Sequence, residues 1–389
     1  MTLALLALGG WAVVASFPLI AAPQPVAAVV TQGEARHEAS PSRVSAAPAP
    51  KVSTPAVARP SVPPQREEWD EPIAGPITTA SSPAARAAAL ALLEQARQNS
   101  DLHIAGTPPF HIVATFDASG QVADVGHGEL SETWMSGQRW RWTAMLGGYA
   151  SVRIGSGRTA YDLAPTVPLP MRVQMLRRVL FGAVPVIRGG RIRLAPARTS
   201  GAAVTCILVA PAASPETPVR LWHEDEYCID EAGLLRVHSP APGAYTRLDY
   251  TRSLRFGGRV LPGELRAYVG GAEVERARID IRPAGDADEA LFTATPEMIA
   301  RGLAPTTGFA QKVLLRAPAQ AVVPGAAISV VHVTVDASGT VVEAEVASGD
   351  PQQSSAALEI ARAHRFPDNG MQRDAYVGVD FGGPADPTP

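Results

Sequence analysis

Between residues 110 and 281 the chain repeats one pattern, in which turn-forming residues separate short runs of alternating apolar and polar residues. About eleven such runs can be counted, and FHIVATF, QRWRWTAM and VERARIDI are among the clearest. Because successive side chains of a strand point to opposite faces, each run predicts a β-strand with one apolar face. Helical patterns occur at residues 83–99, with Ser82 as N-cap, and at residues 173–181. Residues 83–285 are therefore predicted to form an all-β domain, a curved sheet or open barrel with covering helices.

This middle region resembles the LolA/LolB lipoprotein-carrier fold in its layout, because a leading helix is followed by a run of broad strands. The resemblance implies a LolA-like domain, an unclosed β-barrel with helices across its mouth, which holds a lipid or lipoprotein by its acyl chain. Five aromatic residues alternate along successive strands and are candidates to line an apolar cavity: Trp134, Trp140, Trp142, Tyr149 and Tyr161. The alternative is that these rings fill the core, which is the commoner role for aromatic residues at strand spacing.

Within residues 329–381 the spacing of apolar residues changes from strand-like alternation to a helical period and back. Apolar and polar residues alternate over residues 329–335 and again over residues 342–346, with a glycine-containing turn between the two runs. Asp350 suits the N-cap of a helix, and apolar residues then follow at helical spacing. A further alternating run ends the segment. The order of elements predicts an α+β unit with the arrangement ββαβ.

Two motifs in this unit resemble the TonB C-terminal domain family. The hairpin reads V-x-V-x-V-D-x-x-G-x-V at residues 331–341, and the helix reads A-A-L-x-x-A-R-x-x-R-F at residues 356–366. The resemblance implies that residues 313–383 are the periplasmic module of an energy transducer. Such a module binds an outer-membrane transporter or another envelope protein and works with inner-membrane motor proteins. Residues 318–325 depart from the family, which often has a Tyr-Pro segment and a short helix there.

Partner binding is predicted to use the third strand of this unit. We expect that strand to be exposed and to accept a partner strand by β-augmentation. Its residues are Ala375, Tyr376, Val377, Gly378, Val379, Asp380 and Phe381.

The N-terminal segment, residues 1–22, contains no charged residue, and its length fits a transmembrane helix or a signal peptide. Residues 23–82 are rich in Pro, Ala, Val and Ser and are predicted to be a disordered linker. A long linker is most useful in a tethered protein, which favours the transmembrane helix. The predicted location is therefore the periplasm, with an inner-membrane anchor. Export after signal cleavage is the alternative. Coupling to the proton gradient stays open, because TonB proteins that use it carry a polar residue, usually a histidine, in the membrane helix, and this segment has no histidine.

The remaining segments are a connector, residues 286–312, and a disordered tail, residues 384–389. The connector contains one short helical pattern, residues 295–301, which is closed by Gly302. Cys206 and Cys228 are the two cysteines of the chain, and each lies in a strand-like run. In an exported protein, cysteines on neighbouring strands are expected to form a disulfide, and two buried free thiols are the alternative.

No catalytic motif is found: the chain lacks GxSxG, GxxxxGK[ST], GxGxxG and HExxH. We therefore predict a non-enzymatic protein without a cofactor or metal, and the formal net charge of −3 gives no reason to expect a nucleic-acid partner. Residues 222–226 combine an imidazole with carboxylates, but a strand offers at most two of them on one face. A solvated, charged edge strand is the preferred interpretation. The leading functional prediction is a TonB-like protein that binds envelope partners for transport or energy transduction, and the alternative is a lipid or lipoprotein carrier.

Overall fold

The computed structural model describes residues 75–157, 159–308, 311–323 and 327–382, all of which belong to one compact unit. The predicted membrane anchor or signal peptide, most of the predicted linker and the predicted C-terminal tail lie outside the described residues. Within the described residues, none of the helices combines the length and apolar character that crossing a membrane requires.

The described residues form a few helices and many short strands. The α-helices are α1 (Pro83–Ser100), α2 (Met171–Gly182), α3 (Pro296–Arg301) and α4 (Ser354–Ala363), and short 3₁₀ helices lie at Glu289–Phe292, Ala319–Ala321 and Pro351–Gln353. The first ten strands are β1 (Thr78–Thr79), β2 (Phe110–Ala118), β3 (Gly126–Ser136), β4 (Arg139–Leu146), β5 (Tyr149–Ser156), β6 (Thr159–Asp162), β7 (Arg191–Thr199), β8 (Ala202–Ala210), β9 (Asp225–Asp230) and β10 (Leu235–Ala241). The next ten are β11 (Ala244–Asp249), β12 (Leu254–Phe256), β13 (Arg259–Leu261), β14 (Glu264–Val269), β15 (Ala272–Pro283), β16 (Thr306–Thr307), β17 (Gln311–Arg316), β18 (Ser329–Val335), β19 (Val341–Ser348) and β20 (Met371–Asp380).

The large sheet contains thirteen antiparallel strands in the part of the chain that the structure describes. Their order is β1-β7-β8-β9-β10-β11-β14-β15-β2-β3-β4-β5-β6. Since β1 and β6 pair on one side only, the sheet does not close into a barrel. The sequence-based prediction of a mostly β, unclosed sheet with few helices is confirmed.

The large sheet curves around α1 and α2. A flat sheet of this size would extend over about 60 Å. Instead, strands near both of its ends share one apolar core, which contains Leu146 of β4, Ile192 of β7 and Leu93 of α1. Helix α1 begins as predicted, because the Ser82 side chain accepts a hydrogen bond from the backbone N–H of Ala85. The curvature therefore gives the sheet an inner apolar face, covered by the helices. The opposite face carries a second apolar cluster, which includes Cys206, Leu208 and Cys228.

The small sheet is formed by β16, β17, β18, β19 and β20, and α4 packs on it through Ala357 and Ala361. Hairpin, helix and strand follow one another in the order that the sequence predicts. The predicted turn is also present: Gly339 has a φ of 81°, and the Asp336 carboxylate accepts hydrogen bonds from the backbone N–H groups of Ser338 and Thr340.

The position of β20 corrects the expectation of an exposed third strand. β20 pairs with β18 along one edge and with β16 and β17 along the other. Six of the seven predicted partner-binding residues are also buried, and Asp380 is half-buried. Since both edges of β20 are occupied, a partner strand could add there only by displacing β16 and β17 or β18.

The small sheet packs against the large sheet and α2 through a mixed apolar and charged contact. The apolar members are Met171 and Met175 of α2, Ala241, Ala244, Ala267, Val269 and Val274 of the large sheet, and Val330, Ala347 and Tyr376 of the small sheet. Beside them the Arg172 guanidinium donates to both carboxylate oxygens of Glu345 at 2.6 Å, and Arg178 pairs with Asp374. Both arginines lie on α2, so this helix is held between the two sheets.

Candidate functional site

A cavity of about 210 Å³ opens beside the C-terminal half of α2. We call it the α2 cleft. The lining residues that matter for its chemistry are His103, Arg177, Arg178, Phe181, Thr307 and Asp374. His103 follows α1, the two arginines and Phe181 belong to α2, and the last two residues belong to the part of the chain that forms the small sheet. The cleft is thus built where α2 meets both sheets.

Aromatic rings connect the α2 cleft to the apolar core. The Phe181 and His103 rings stack with their centroids 4.8 Å apart, and His103 lies 6.0 Å from both Phe110 and Trp134. Phe110 and Trp134 are themselves stacked at 5.4 Å and belong to the core beneath the helices. The Nε2 atom of His103 lies 2.9 Å from Oε1 of the buried Glu132, which fixes the orientation of the imidazole ring. An apolar group in the cleft would therefore have a continuous aromatic path towards the core.

The two arginines of the cleft differ in how their charge is balanced. Arg178 forms an ion pair with Asp374. Arg177 donates a hydrogen bond to Oγ1 of Thr307 at 3.2 Å and lies 5.5 Å from the centre of the Trp142 ring, but it has no ion pair among the described residues. Burial lowers the pKa of Arg177, and the nearby Glu132 carboxyl group only partly opposes that effect. Because a partly buried guanidinium attracts a counter-charge, the cleft is suited to an anionic group.

The space beneath α2 is filled by side chains. The cavity between α2 and the large sheet measures about 10 Å³, and Met175, Leu176 and Val179 of α2 form its roof. Its floor includes Glu275, and burial raises the pKa of this carboxyl group to about 8. One water molecule needs about 10–15 Å³. A ligand chain could therefore enter only if α2 moved, and α2 already loses regular helical geometry at Phe181, where φ is −127° and ψ is 18°.

The structure places four of the five aromatic candidates inside or against the core. Trp134, Trp142 and Tyr149 are core residues, and Trp140 is partly buried against them. Tyr161 lies at the edge of the large sheet and forms a β-bridge with Leu303. Trp134 and Trp142 contact the α2 cleft indirectly, through His103 and Arg177. No large open cavity lies between these rings in the described part of the chain, and their role as a ligand lining stays a prediction.

The predicted disulfide is confirmed. Cys206 of β8 and Cys228 of β9 stand opposite each other in the register of the two strands, and their sulfur atoms are bonded. Both residues are fully buried.

The interpretation of residues 222–226 as a solvated edge strand is wrong. β9 lies between β8 and β10, and Glu224 and Glu226 are fully buried. Glu224 accepts a hydrogen bond from Nε of Arg193 at 2.8 Å, and Glu226 pairs with Arg220 at 2.8 Å. Burial raises the pKa of Glu226 to about 6. The carboxylates are thus paired with arginines that lie elsewhere in the sequence.

Sequence reasoning missed His103, Arg177 and Arg178 as residues of a common cleft. The signal that was available is the run MLRRVLF, which places two arginines side by side in a helix that is otherwise apolar. His103 carries no comparable signal, because α2 follows it by many residues and only the folded chain brings the two together.

No protein-family model and no curated protein matches the chain. Among solved structures, the chain is similar to a LolA superfamily protein from Nitrosomonas europaea, with 11% identity, a TM-score of 0.32, and coverage of 53% of this chain and 97% of that chain. It is also similar to a putative outer membrane lipoprotein-sorting protein domain from Vibrio parahaemolyticus, with 9% identity, a TM-score of 0.33 and the same coverage. Likenesses at these TM-scores carry no argument about function. The expected membership of the TonB C-terminal domain family has no support in the comparisons.

Proposed function

We propose that this protein is a non-enzymatic lipid or lipoprotein carrier of the cell envelope, which holds its ligand at the α2 cleft. The observation that supports the proposal most directly is that this cleft combines a cationic side chain with apolar aromatic rings. Arg177 offers a cation that has no ion pair among the described residues, and the stacked rings of Phe181 and His103 offer an apolar path. A ligand that satisfies both has an anionic headgroup and an acyl chain.

The proposed mechanism is displacement of α2. The headgroup would bind to Arg177, and the chain would pass along Phe181 and His103 into the space that Met175, Leu176 and Val179 fill in the closed protein. Those three side chains leave the core when α2 moves, and an acyl chain replaces the apolar contacts that they lose. The exchange of one apolar filling for another offsets part of the energetic cost of opening, and the ion pairs Arg172–Glu345 and Arg178–Asp374 that hold α2 add to that cost.

The envelope location is proposed on the evidence of the disulfide. Buried disulfides form and persist in oxidising compartments, such as the bacterial periplasm, and are rare in the cytosol. The bond between Cys206 and Cys228 therefore supports an exported protein.

The test is to purify the full chain without reductant and to measure bound lipid by native mass spectrometry and by lipid extraction. We expect an acyl lipid with an acidic headgroup to be bound, at up to one molecule per chain. Arg177→Gln should reduce the bound fraction about tenfold, because a charge-assisted hydrogen bond is removed. Arg188→Gln is the matched control, since Arg188 follows the same helix and is exposed. Absence of lipid from the wild-type protein, or equal loss in both variants, would overturn the proposal.

A further inference from the structure

The outer face of the large sheet carries a second cavity, of about 310 Å³, on strands β15, β2, β3 and β4. We call it the convex cleft. Its position follows from strand alternation: Ile112, Trp134 and Trp142 face the core, so the residues next to them in sequence face outward. The outward residues that line the cleft and could bind a ligand are His111, Ser131, Thr133, Arg141, Thr143 and Arg282.

The register of the strands aligns four of these residues in one row. Arg282 of β15 stands opposite His111 of β2, His111 stands opposite Thr133 of β3, and Thr133 stands opposite Arg141 of β4. Neighbouring strands lie about 4.8 Å apart, so the Cα atoms of the two arginines are about 14 Å apart. A cation therefore stands at each end of the row, with an imidazole and a hydroxyl group between them.

A second row supplies further hydroxyl groups. Ser131 and Thr143 are also opposite each other, and their hydroxyl oxygens lie 2.7 Å apart. In the first row, Nδ1 of His111 lies 2.9 Å from Oγ1 of Thr133. Each of these pairs keeps unused hydrogen-bonding capacity, because a hydroxyl has one donor and two acceptor positions and an imidazole has a second ring nitrogen. The floor of the cleft can thus bond to several polar atoms of one ligand.

The two cations of the cleft are not neutralised within its lining. Among the described residues, neither Arg141 nor Arg282 forms an ion pair, and the one hydrogen bond of Arg141 is a long contact of 3.5 Å to the carbonyl oxygen of Leu291. The described residues that line the cleft include no carboxylate. Of the acidic residues nearby, Asp280 pairs with Arg252 at 2.7 Å and Glu289 pairs with Arg139 at 2.5 Å. Glu129, on the same face of β3, acts on the pKa of His111 in the direction opposite to Arg282. The lining of the cleft therefore carries a net positive charge.

The open side of the cleft is bounded by a fixed segment. Ala287 and Leu291 form this wall. The segment is held at one end by a hydrogen bond from the backbone N–H of Ala284 to the carbonyl oxygen of Pro109 at 3.1 Å. At the other end Phe292 is buried and Arg139 lies 4.8 Å above its ring. The cleft exists without a movement of the chain, so a ligand would not have to pay for its formation.

We propose that the convex cleft binds a small hydroxylated anion, such as a sugar phosphate or a sugar acid. The guanidinium group at one end of the row binds the phosphate or carboxylate, and the guanidinium group at the other end binds the ligand's own hydroxyl groups together with the hydroxyl and imidazole groups of the two rows. The apolar surface of Ala287 and Leu291 contacts the carbon skeleton. This site lies on the opposite face of the sheet from the α2 cleft and does not depend on the lipid-carrier proposal.

The experiment is isothermal titration calorimetry of the full chain with glucose 6-phosphate, glucuronate and uncharged glucose. We expect at least one of the two anions to bind and glucose not to bind, and the anion that binds identifies phosphate or carboxylate as the recognised group. Arg141→Gln and Arg282→Gln should each weaken binding about tenfold, because each removes charge-assisted hydrogen bonds.

Two matched controls separate this site from general charge effects. Arg278 is an exposed arginine on the same face of β15 that does not line the cleft, and Arg188 is an exposed arginine that lines neither cleft. Arg278→Gln and Arg188→Gln should leave anion binding unchanged. The proposal is overturned if neither anion binds, if glucose binds as tightly as the anions, or if the control variants lose as much affinity as the cleft variants. Thermal melting of each variant verifies that the fold is intact.

Discussion

Glu275 lies in an environment that differs strongly from the ordinary one of a carboxyl group. Its carboxyl group faces the inner side of the large sheet, beneath α2, and its Oε1 atom has no hydrogen-bond partner among the described residues. Burial raises its pKa from 4.5 to about 8, and the nearby Arg172 only partly opposes that effect. At neutral pH the folded protein therefore holds this carboxyl group in the protonated form, which the apolar cavity tolerates better than a carboxylate.

The raised pKa predicts a pH-dependent loss of stability. The unfolded chain releases the Glu275 proton above pH 4.5, whereas the folded protein keeps it up to about pH 8, so rising pH favours unfolding across that interval. Glu275→Gln cannot ionise and should remove this loss. We expect the melting temperature of the variant, relative to the wild type, to rise steadily between pH 4.5 and about 8. Buried histidines such as His238 and His332 titrate equally in both proteins, so they cancel in the difference. A constant difference across the interval would contradict the prediction.

Among the elements, β8 and β9 are joined by a covalent bond as well as by their hydrogen bonds. The disulfide closes a loop in which the two cysteines are 22 positions apart. A loop of that length should stabilise the fold by about 3 kcal/mol, through the reduced freedom of the unfolded chain. The paired replacement Cys206→Ala and Cys228→Ala is expected to lower the free energy of unfolding by that amount, measured by urea denaturation. Thiol labelling of the unfolded, unreduced wild-type protein should find no free thiol, and two labels per chain would show that the bridge is absent.

The elements differ in how far the sequence could predict them. Ser82 and Asp350 each accept a hydrogen bond at the start of a helix, as their sequence positions predict, because capping depends on residues within one turn. Strand alternation likewise identifies which side chains face the core. It does not identify the neighbouring strand, since pairing partners can lie anywhere in the chain. For this reason the parallel pairing of β17 with β20 could not be predicted, and the sequence alone places β20 at an edge.

The same limit explains the errors at the candidate site. A buried carboxylate looks like a surface residue in the sequence unless its partner is known. Glu224 is paired with Arg193, and Glu345 with Arg172, which is 173 positions away. The hydrophobic pattern of the sequence predicts that all four of these charged side chains are exposed. The α2 cleft could not be predicted for the same reason, because the chain segments that form it are brought together only by the packing of the two sheets.

For the whole molecule, the contact between the sheets depends on a few buried charges. Arg172 is fully buried and donates hydrogen bonds to Glu345 and to the carbonyl oxygen of Ser119. Burial alone would raise the pKa of Glu345, but the hydrogen bonds from Arg172, together with His332 at 3.5 Å, outweigh it and lower the pKa to about 2. Glu345 thus stabilises the fold at neutral pH, and this contribution is lost as the pH falls from 4.5 to about 2.

Removing one partner of this pair should destabilise the whole unit. Arg172→Gln leaves the Glu345 carboxylate buried without its counter-charge, so we expect a loss of about 3–5 kcal/mol in the free energy of unfolding, measured in urea. Arg276→Gln is the matched control, because Arg276 forms an exposed ion pair with Glu273 that should contribute less than about 1 kcal/mol. Similar losses in the two variants would show that the buried pair has no special role. A cycle with Glu345→Gln then isolates the coupling energy between the two side chains.

The ion pairs between the small sheet and α2 predict that the small sheet limits the local opening of α2. Glu345 and Asp374 of the small sheet hold Arg172 and Arg178 of α2, whereas α1 has no comparable contact with that sheet among the described residues. Glu345→Gln should therefore increase the hydrogen-exchange rate of α2 amides while those of α1 stay protected, because local opening of α2 becomes easier than opening of the core. Glu273→Gln, which breaks an exposed pair on β15, serves as the control and should change neither helix. If α2 and α1 exchanged faster together, the variant would be opening the whole unit, and the small sheet would not act on α2 in particular. If α2 alone responds, the small sheet is the part of the molecule that keeps the lipid-carrier site closed.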